Sequence, residues 1–191
     1  MTPLSFIRTV SIMALAALAP LSAYSNNTEA TESKTTRKAK KDTKKAVSPV
    51  VTAVKKVKKV KGRVNDKADY FIYLYSASWC GPCCKEMPEI VELYKDMKKS
   101  GKVDIILFCQ DDTLPAAKNF VKRFGIKFLT VMGNDDKVSK VPGHAAPSGI
   151  PHCIFVDSAG RRITSGHPGN ILSNWKSLTI ESEDSEESTE E

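Results

Sequence analysis

The feature that most constrains this chain is the segment Cys80-Gly-Pro-Cys83, which separates a strand pattern from a helix pattern. Before it, the run from Tyr70 to Tyr75 is apolar and aromatic, as buried strands are. After it, apolar side chains recur at the spacing of one helix face, at Cys83, Met87, Ile90, Tyr94 and Met97. The two cysteines are therefore predicted to lie at a strand-to-helix turn, with Cys80 at the helix start and Cys83 one turn later.

This placement predicts redox chemistry. The free N–H groups and the positive dipole end at a helix N-terminus favour an anion, so a thiol placed there ionises more readily. The thiolate is the nucleophile in disulfide exchange, and a second cysteine three residues on can attack the mixed disulfide and release the partner. Cys80 is therefore the predicted nucleophile and Cys83 the predicted resolving thiol.

Two other interpretations apply to the same pair. A zinc site needs a second pair of ligands at suitable spacing, and His144, His152, His167, Cys109 and Cys153 do not form one. A purely structural disulfide is the simpler alternative, but it does not explain why the pair opens a helix behind a buried strand. The sequence contains no flavin, nicotinamide or metal motif, so neither a cofactor nor a metal is predicted.

The string Ala77-Ser-Trp-Cys-Gly-Pro-Cys83, followed by Lys85-Glu-Met-Pro88, resembles the thioredoxin superfamily and is most similar to its secreted TlpA/ResA-like branch. The similarity runs from about Asp69 to Leu178 and has a second anchor at Gly149-Ile-Pro151. It implies the thioredoxin fold, an α/β architecture whose mixed central sheet carries helices on both faces. The predicted order of elements, strand–helix–strand–helix followed by a hairpin and a helix, independently predicts the same layers.

The resemblance also implies roles for three residues near the pair. Pro151 is expected to be cis and to face the cysteines, which leaves the backbone of Ile150 free to pair with an extended partner segment; the alternative is a trans proline that starts a strand. Glu86, three residues after Cys83, is expected to exchange protons with the buried thiol. A buried acid with a raised pKa would suit that task, whereas the alternative is a solvated helix glutamate.

Further residues near the pair leave alternatives open. Trp79 is predicted to shield the cysteines and to contact partners, with a buried packing role as the alternative. Thioredoxin itself carries an Asp six residues before its first cysteine, where this chain has Leu74, so Glu86 is the nearby substitute. His152, where relatives usually carry Thr, could tune the thiolate or sense pH, or could be a plain strand histidine.

Three cysteines are surplus to the pair. Cys109 and Cys153 are predicted to be buried free thiols in the strands on either side of the catalytic strand. Cys84, next to Cys83, is a candidate for an intermolecular disulfide because five cysteines cannot all pair within one chain.

The chain divides into four predicted segments. Residues 1–25 form a signal peptide, because Arg8 precedes an apolar stretch from Val10 to Leu21 that is shorter than the roughly 20 residues of a membrane span. An uncleaved anchor is the alternative. Residues 26–64 are predicted to be a basic disordered linker, residues 65–180 the thioredoxin-like domain, and residues 181–191 an acidic disordered tail.

The distribution of charge along the chain limits which classes of binding partner are predicted. The net charge is +7, but Lys and Arg outnumber Asp and Glu by thirteen to three within residues 26–64, so the predicted domain is nearly balanced. The basic arm has no aromatic residue for base stacking, so no nucleic-acid partner is predicted. A basic amphipathic helix from Ser48 to Gly62, with its valines on one face, could contact an anionic membrane surface.

These observations predict an exported thiol–disulfide oxidoreductase, periplasmic or otherwise extracytoplasmic and either soluble or tethered at the membrane. It would act on protein disulfides or dithiols and would need an upstream redox partner. The Gly-Pro pair between the cysteines resembles the reducing thioredoxins and favours a reductase. The alternative is a non-catalytic thioredoxin-fold module that only docks partners; a peroxidase is disfavoured because no Thr-x-x-Cys motif ends at Cys80.

Overall fold

The computed structural model describes residues 47–180. Its elements, in chain order, are α1 (Pro49–Val54), β1 (Lys59–Lys61), β2 (Tyr70–Ser76), α2 (Gly81–Ser100), β3 (Val103–Cys109), α3 (Leu114–Phe124), β4 (Leu129–Met132), a 3-10 helix (Asp136–Lys140), β5 (His152–Asp157), β6 (Arg162–Gly166) and α4 (Pro168–Ser173). A second helical stretch, residues 175–180, follows α4. The predicted signal peptide, the first part of the predicted linker and the acidic tail lie outside the described residues.

The described strands form a single mixed sheet in the order β1-β4-β3-β2-β5-β6. Strand β2 lies near its centre and is buried along its whole length. It pairs in parallel with β3, where Leu74 lies beside Leu107, and antiparallel with β5, where Leu74 lies beside Cys153. The catalytic strand therefore has Cys109 and Cys153 in its two neighbours, as predicted.

Both faces of the sheet are covered. Buried side chains of α2, α3 and α4 pack on one face, and those of α1 and the 3-10 helix pack on the other. The predicted α/β architecture, a mixed sheet with helices on both faces, is confirmed.

Helix α2 forms where local signals predict it. Cys80 caps its N-terminus, Pro82 lies in its first turn, and Gly101 ends it in the left-handed conformation at φ 73°. Its buried residues are Cys83, Met87, Ile90, Tyr94 and Met97, the five that the sequence pattern assigns to one face.

The predicted boundary of the linker at residue 64 is wrong. Ser48 caps α1, and β1 pairs antiparallel with β4, with Lys59 beside Val131. The segment folds because its valines alternate with lysines at spacings that allow burial: Val50, Val51, Val54, Val57 and Val60 are buried, whereas the lysines between them are exposed. Composition averaged over residues 26–64 hides this pattern.

The same burial corrects the predicted membrane-binding helix. Helix α1 ends at Val54 rather than near Gly62, and its valines face the protein core. They are not available to a lipid surface, so any membrane contact through the basic arm would rest on charge. None of the helices within residues 47–180 is long and apolar enough to cross a membrane.

Candidate active site

The cysteine pair lies at the junction between the end of β2 and the start of α2. Cys80 and Cys83 form a disulfide, and both residues are buried. Cys80 occupies the N-cap position, and its Sγ accepts a hydrogen bond from the backbone N–H of Cys83 at 3.2 Å. This donor and the helix dipole would stabilise a negative charge on Cys80 once the disulfide is reduced.

The loop before β5 forms the opposite wall of the site. The peptide bond between Ile150 and Pro151 is cis, as the resemblance implies. The carbonyl oxygen of Ile150 lies 3.7 Å from the Sγ of Cys80, and its side chain packs against Ala77 and both cysteines. The fold thus brings together four of the six predicted site residues.

Trp79 and Glu86 complete the predicted set. The Trp79 side chain is 65% exposed directly beside Cys80, which excludes the buried packing role. The Glu86 side chain is 26% exposed, and its Oε1 lies 3.1 Å from the Nε2 of His167. Its Oε2 is buried without a hydrogen-bond partner in the structure, which is unusual for a carboxylate oxygen. Glu86 is therefore neither the fully buried acid nor the fully solvated glutamate of the two sequence interpretations.

A buried carboxylate that the sequence analysis missed supports the active-site loop. Asp111 is 1% exposed, and it accepts hydrogen bonds from the backbone N–H and the hydroxyl of Ser78, the latter at 2.6 Å. It also accepts from the thiol of Cys109 at 3.1 Å. Because Ser78 lies two residues before Cys80, this carboxylate anchors the turn that carries the nucleophile position. Thr113, three residues before Ala116, provides the N-cap of α3.

The family is shown by a match over most of the chain and not by the cysteines alone. The family model described as Redoxin matches residues 44–176. The chain belongs to the redoxin family. Among curated proteins, this redoxin is 39% identical to the thiol-disulfide oxidoreductase ResA of Bacillus cereus over 84 residues, which are 44% of this chain and 46% of that protein. It is 36% identical to ResA of Bacillus subtilis strain 168 over 61 residues, 32% of this chain and 34% of that protein. The matches thus span less than half the length of these relatives.

Solved structures agree on the fold. The thioredoxin of Wuchereria bancrofti superposes with a TM-score of 0.50 at 24% identity, covering 63% of this chain and 93% of that one. The thioredoxin domain of a thiol-disulfide oxidoreductase from Bacteroides vulgatus superposes with a TM-score of 0.52 at 25% identity, covering 66% of this chain and 89% of that one. The predicted thioredoxin fold and the predicted likeness to ResA-type proteins are confirmed.

The surplus thiols of this redoxin differ in environment. Cys109 and Cys153 are buried and free, as predicted. Burial raises the pKa of the Cys109 thiol to about 12, and it also raises that of Cys153, where the charge of Glu86 adds to the effect. Cys84 is half-buried, and its thiol donates to the carbonyl oxygen of Ser78 at 3.3 Å. Its proposed intermolecular disulfide stays a prediction.

Two histidines of the redoxin domain, His144 and His152, pack against the ring of Tyr75. His152 starts β5, and its ring centroid lies 6.2 Å from that of Tyr75. Burial and the charge of Arg162 lower the pKa of His152, which favours the neutral ring. His144, in the loop before Pro151, also packs against Tyr75, at 5.7 Å. No three His, Cys, Asp or Glu side chains among residues 47–180 are grouped so that they could hold a metal ion.

His167 is the second residue that the sequence analysis missed. The sequence pattern suggests a zinc ligand as its only possible role at the site. The contact with Glu86 is not predictable from the sequence, because the turn before α4 is distant from Glu86 along the chain. The available signal was its place directly before Pro168, at a helix N-cap.

Proposed function

We propose that this redoxin is a thiol–disulfide oxidoreductase that reduces disulfides in partner proteins. The observation that carries the proposal is the Cys80–Cys83 disulfide at the N-cap of α2, with Ile150 and Pro151 facing it. A structural disulfide has no need of this position, whereas an exchange reaction needs one sulfur that is stabilised as an anion and another that lies within reach.

The reaction begins with the reduced pair. The Cys80 thiolate attacks one sulfur of the partner disulfide and forms a mixed disulfide, while the other partner sulfur leaves as a thiolate. The Cys83 thiolate then attacks the Sγ of Cys80, which closes the Cys80–Cys83 disulfide and releases the second partner sulfur. Two electrons pass to the partner, and an upstream dithiol must return them before the next cycle.

Glu86 is the proposed proton acceptor for Cys83. Its Oε2 is buried one helical turn after Cys83 and has no hydrogen-bond partner in the oxidised structure. A disulfide sulfur has no proton to donate, whereas a reduced Cys83 thiol does. Glu86 would take that proton when Cys83 becomes the attacking thiolate.

Partner binding is assigned to the surface around Cys80. Trp79 offers an exposed aromatic face beside the disulfide. The backbone of Ile150, held by the bond to Pro151, would pair with an extended segment of the partner around its disulfide. Main-chain pairing gives affinity with little sequence selection, which suits a reductase of several proteins.

We also propose that the protein is exported and that it transfers electrons to its partners. The Gly-Pro pair favours reduction, and the name of the ResA-type relatives, thiol-disulfide oxidoreductase, is consistent with either direction. Export would follow from the signal segment at residues 1–25, and the basic residues before α1 would serve as a tether or as a contact for an anionic surface.

Insulin reduction by dithiothreitol tests the activity. The wild-type chain is expected to accelerate it, and Cys80→Ala and Cys83→Ala are expected to lower the rate to the uncatalysed background. Cys84→Ala is the matched control, since it removes the neighbouring sulfur and is expected to retain the wild-type rate. A wild-type chain without turnover would support the docking module instead.

A trapping experiment then tests which cysteine attacks the partner disulfide. The Cys83→Ala variant retains Cys80 but cannot resolve, so it is expected to hold partner proteins as mixed disulfides. Capture that is equal in the Cys80→Ala, Cys83→Ala double variant would count against Cys80 as the nucleophile.

A further inference from the structure

The helix that His167 caps fixes which nitrogen of its neutral ring carries the proton. Its Nδ1 accepts the backbone N–H of Gly169 at 3.2 Å, so that nitrogen carries no proton in this arrangement. The proton of the neutral ring is therefore on Nε2, the nitrogen that lies 3.1 Å from the Oε1 of Glu86. From the turn between β6 and α4, the His167 ring thus places this nitrogen against the Glu86 carboxylate.

This contact fixes the two oxygens of Glu86 in different environments. Oε1 is held by His167, whose side chain is 52% exposed, so this oxygen lies toward the protein surface. Oε2 is buried without a partner. The charge of Glu86 acts on the buried thiol of Cys153 on β5, and His167 contacts Oε1 from the turn before α4. On α2 itself, Cys83 is buried three residues before Glu86, whereas the charged neighbours Lys85 and Glu89 are exposed.

A glutamate in this position would otherwise prefer water. The carboxylate gains hydration by turning outward, and burying one of its oxygens without a hydrogen bond costs free energy. The contact with His167 Nε2 offsets that cost because it holds the other oxygen near the surface. Without it, the side chain is free to rotate away from Cys83.

We propose that His167 is a positioning residue that holds the Glu86 carboxylate with its free oxygen toward Cys83, so that Glu86 can accept the Cys83 proton. The inference rests on the proposed function, in which Cys83 resolves the mixed disulfide. In that step the proton moves from the Cys83 Sγ to Glu86, the Cys83 sulfur bonds to the Cys80 Sγ, and the partner sulfur leaves with the electron pair of the broken bond.

The aryl disulfide DTNB separates the two steps in the full chain. Reduced Cys80 attacks DTNB and releases one thionitrobenzoate, and the attack of Cys83 on Cys80 releases the second. A Cys84→Ala background removes the half-buried free thiol from the signal, and the buried thiols of Cys109 and Cys153 react slowly at neutral pH because burial raises the pKa of each.

The informative variant is His167→Asn. Asparagine is a good N-cap residue, so it can still accept the Gly169 N–H, but its side chain is too short to reach Glu86. Helix capping is thereby kept while the contact to the carboxylate is lost. Glu86→Gln removes the proton acceptor itself, and the double variant tests whether the two residues act together.

The expected result is a change confined to the second release. At pH 7, His167→Asn should slow it about tenfold, less than the roughly hundredfold or more that a complete general acid–base group contributes, and should leave the first release within about twofold. The deficit should shrink as the pH rises above the ordinary thiol pKa of about 8.5, because Cys83 then ionises without help. In the Glu86→Gln background, His167→Asn should add no further slowing.

A second release at the wild-type rate in His167→Asn would overturn the positioning role, as would equal slowing of both releases or full additivity with Glu86→Gln. A wild-type chain that gives no second release refutes the proposed function itself and the role of His167 with it. The two failures are distinct, because only the second one affects the wild-type chain.

Discussion

Asp111 shows how one residue can hold an active-site turn from beneath. Its carboxylate accepts hydrogen bonds from three donors, two on Ser78 and one on Cys109, in a position that is closed to water. An Asp directly before a helix usually caps that helix, so the local sequence pattern relates Asp111 to α3 and not to the cysteines. Its actual partner, Ser78, follows from the parallel pairing of β2 with β3, which brings the ends of both strands to one edge of the sheet. A local pattern does not contain that information.

The first prediction compares Asp111 with its neighbour. Asp111→Ala should lower the free energy of unfolding by about 2 kcal/mol, because it leaves buried donors without an acceptor. Asp112→Ala removes an exposed carboxylate one residue away and should change the stability by less than about 0.5 kcal/mol. Urea unfolding of both variants measures the difference. Equal effects of the two substitutions would show that the buried hydrogen bonds contribute nothing specific.

Helix α2 can be predicted from the sequence, whereas the end of helix α1 and the presence of strand β1 cannot. Helix α2 is predictable to within a residue at its start because its cap, its first-turn proline and its terminal glycine are all local signals. Helix α1 has six residues and β1 has three, too few for a clear periodicity. Strand β1 exists because β4 offers it a sheet edge, and that partner lies about seventy residues further along the chain. The lysines around the valines made the segment resemble a solvated arm.

The second prediction tests whether this segment belongs to the fold. Val51 is fully buried against the sheet, so Val51→Ala should lower the free energy of unfolding by about 2 kcal/mol through lost apolar burial and the space left behind. Lys55→Ala, an exposed position at the end of the same helix, is the control and should have little effect. Thermal or urea unfolding measures both. A Val51→Ala variant as stable as the control would restore the linker interpretation.

At the scale of the whole molecule, buried carboxylates lie at both ends of the central strands. Asp111 follows β3 beside the cysteines, and Asp104 lies at the opposite end, near the start of β3. Asp104 is 2% exposed and accepts hydrogen bonds from the backbone N–H of Asn65 at 2.6 Å and from the hydroxyl of Tyr94 at 3.0 Å. It ties the segment after β1 to the C-terminal part of α2.

The pH dependence of Asp104 has a definite sign. Burial raises its pKa above 3.8, and this effect outweighs the hydrogen bonds that favour the charged form. The folded chain therefore holds the Asp104 proton more tightly than the unfolded chain does. By linkage, the stability that this residue contributes is fully present below pH 3.8 and is lost as the pH rises through the folded-state pKa.

The third prediction uses Asp104→Asn to separate the contribution of Asp104 to the pH dependence of stability from the contributions of the other carboxylates. The free energy of unfolding of the wild type, relative to that of Asp104→Asn, should fall as the pH rises from about 3.5 to 7, because only the wild type has to ionise a buried acid on the way. Urea unfolding across this range measures both chains, and Asp66→Asn, at an exposed position of the same region, accounts for the change in net charge. A difference that is constant with pH, or that grows in favour of the wild type, would mean that the hydrogen bonds of Asn65 and Tyr94 outweigh the burial of the charge. In the predicted case, ionisation of Asp104 loosens the end of the sheet remote from Cys80, so a thiol-exchange rate measured in parallel should stay unchanged where the fold remains intact.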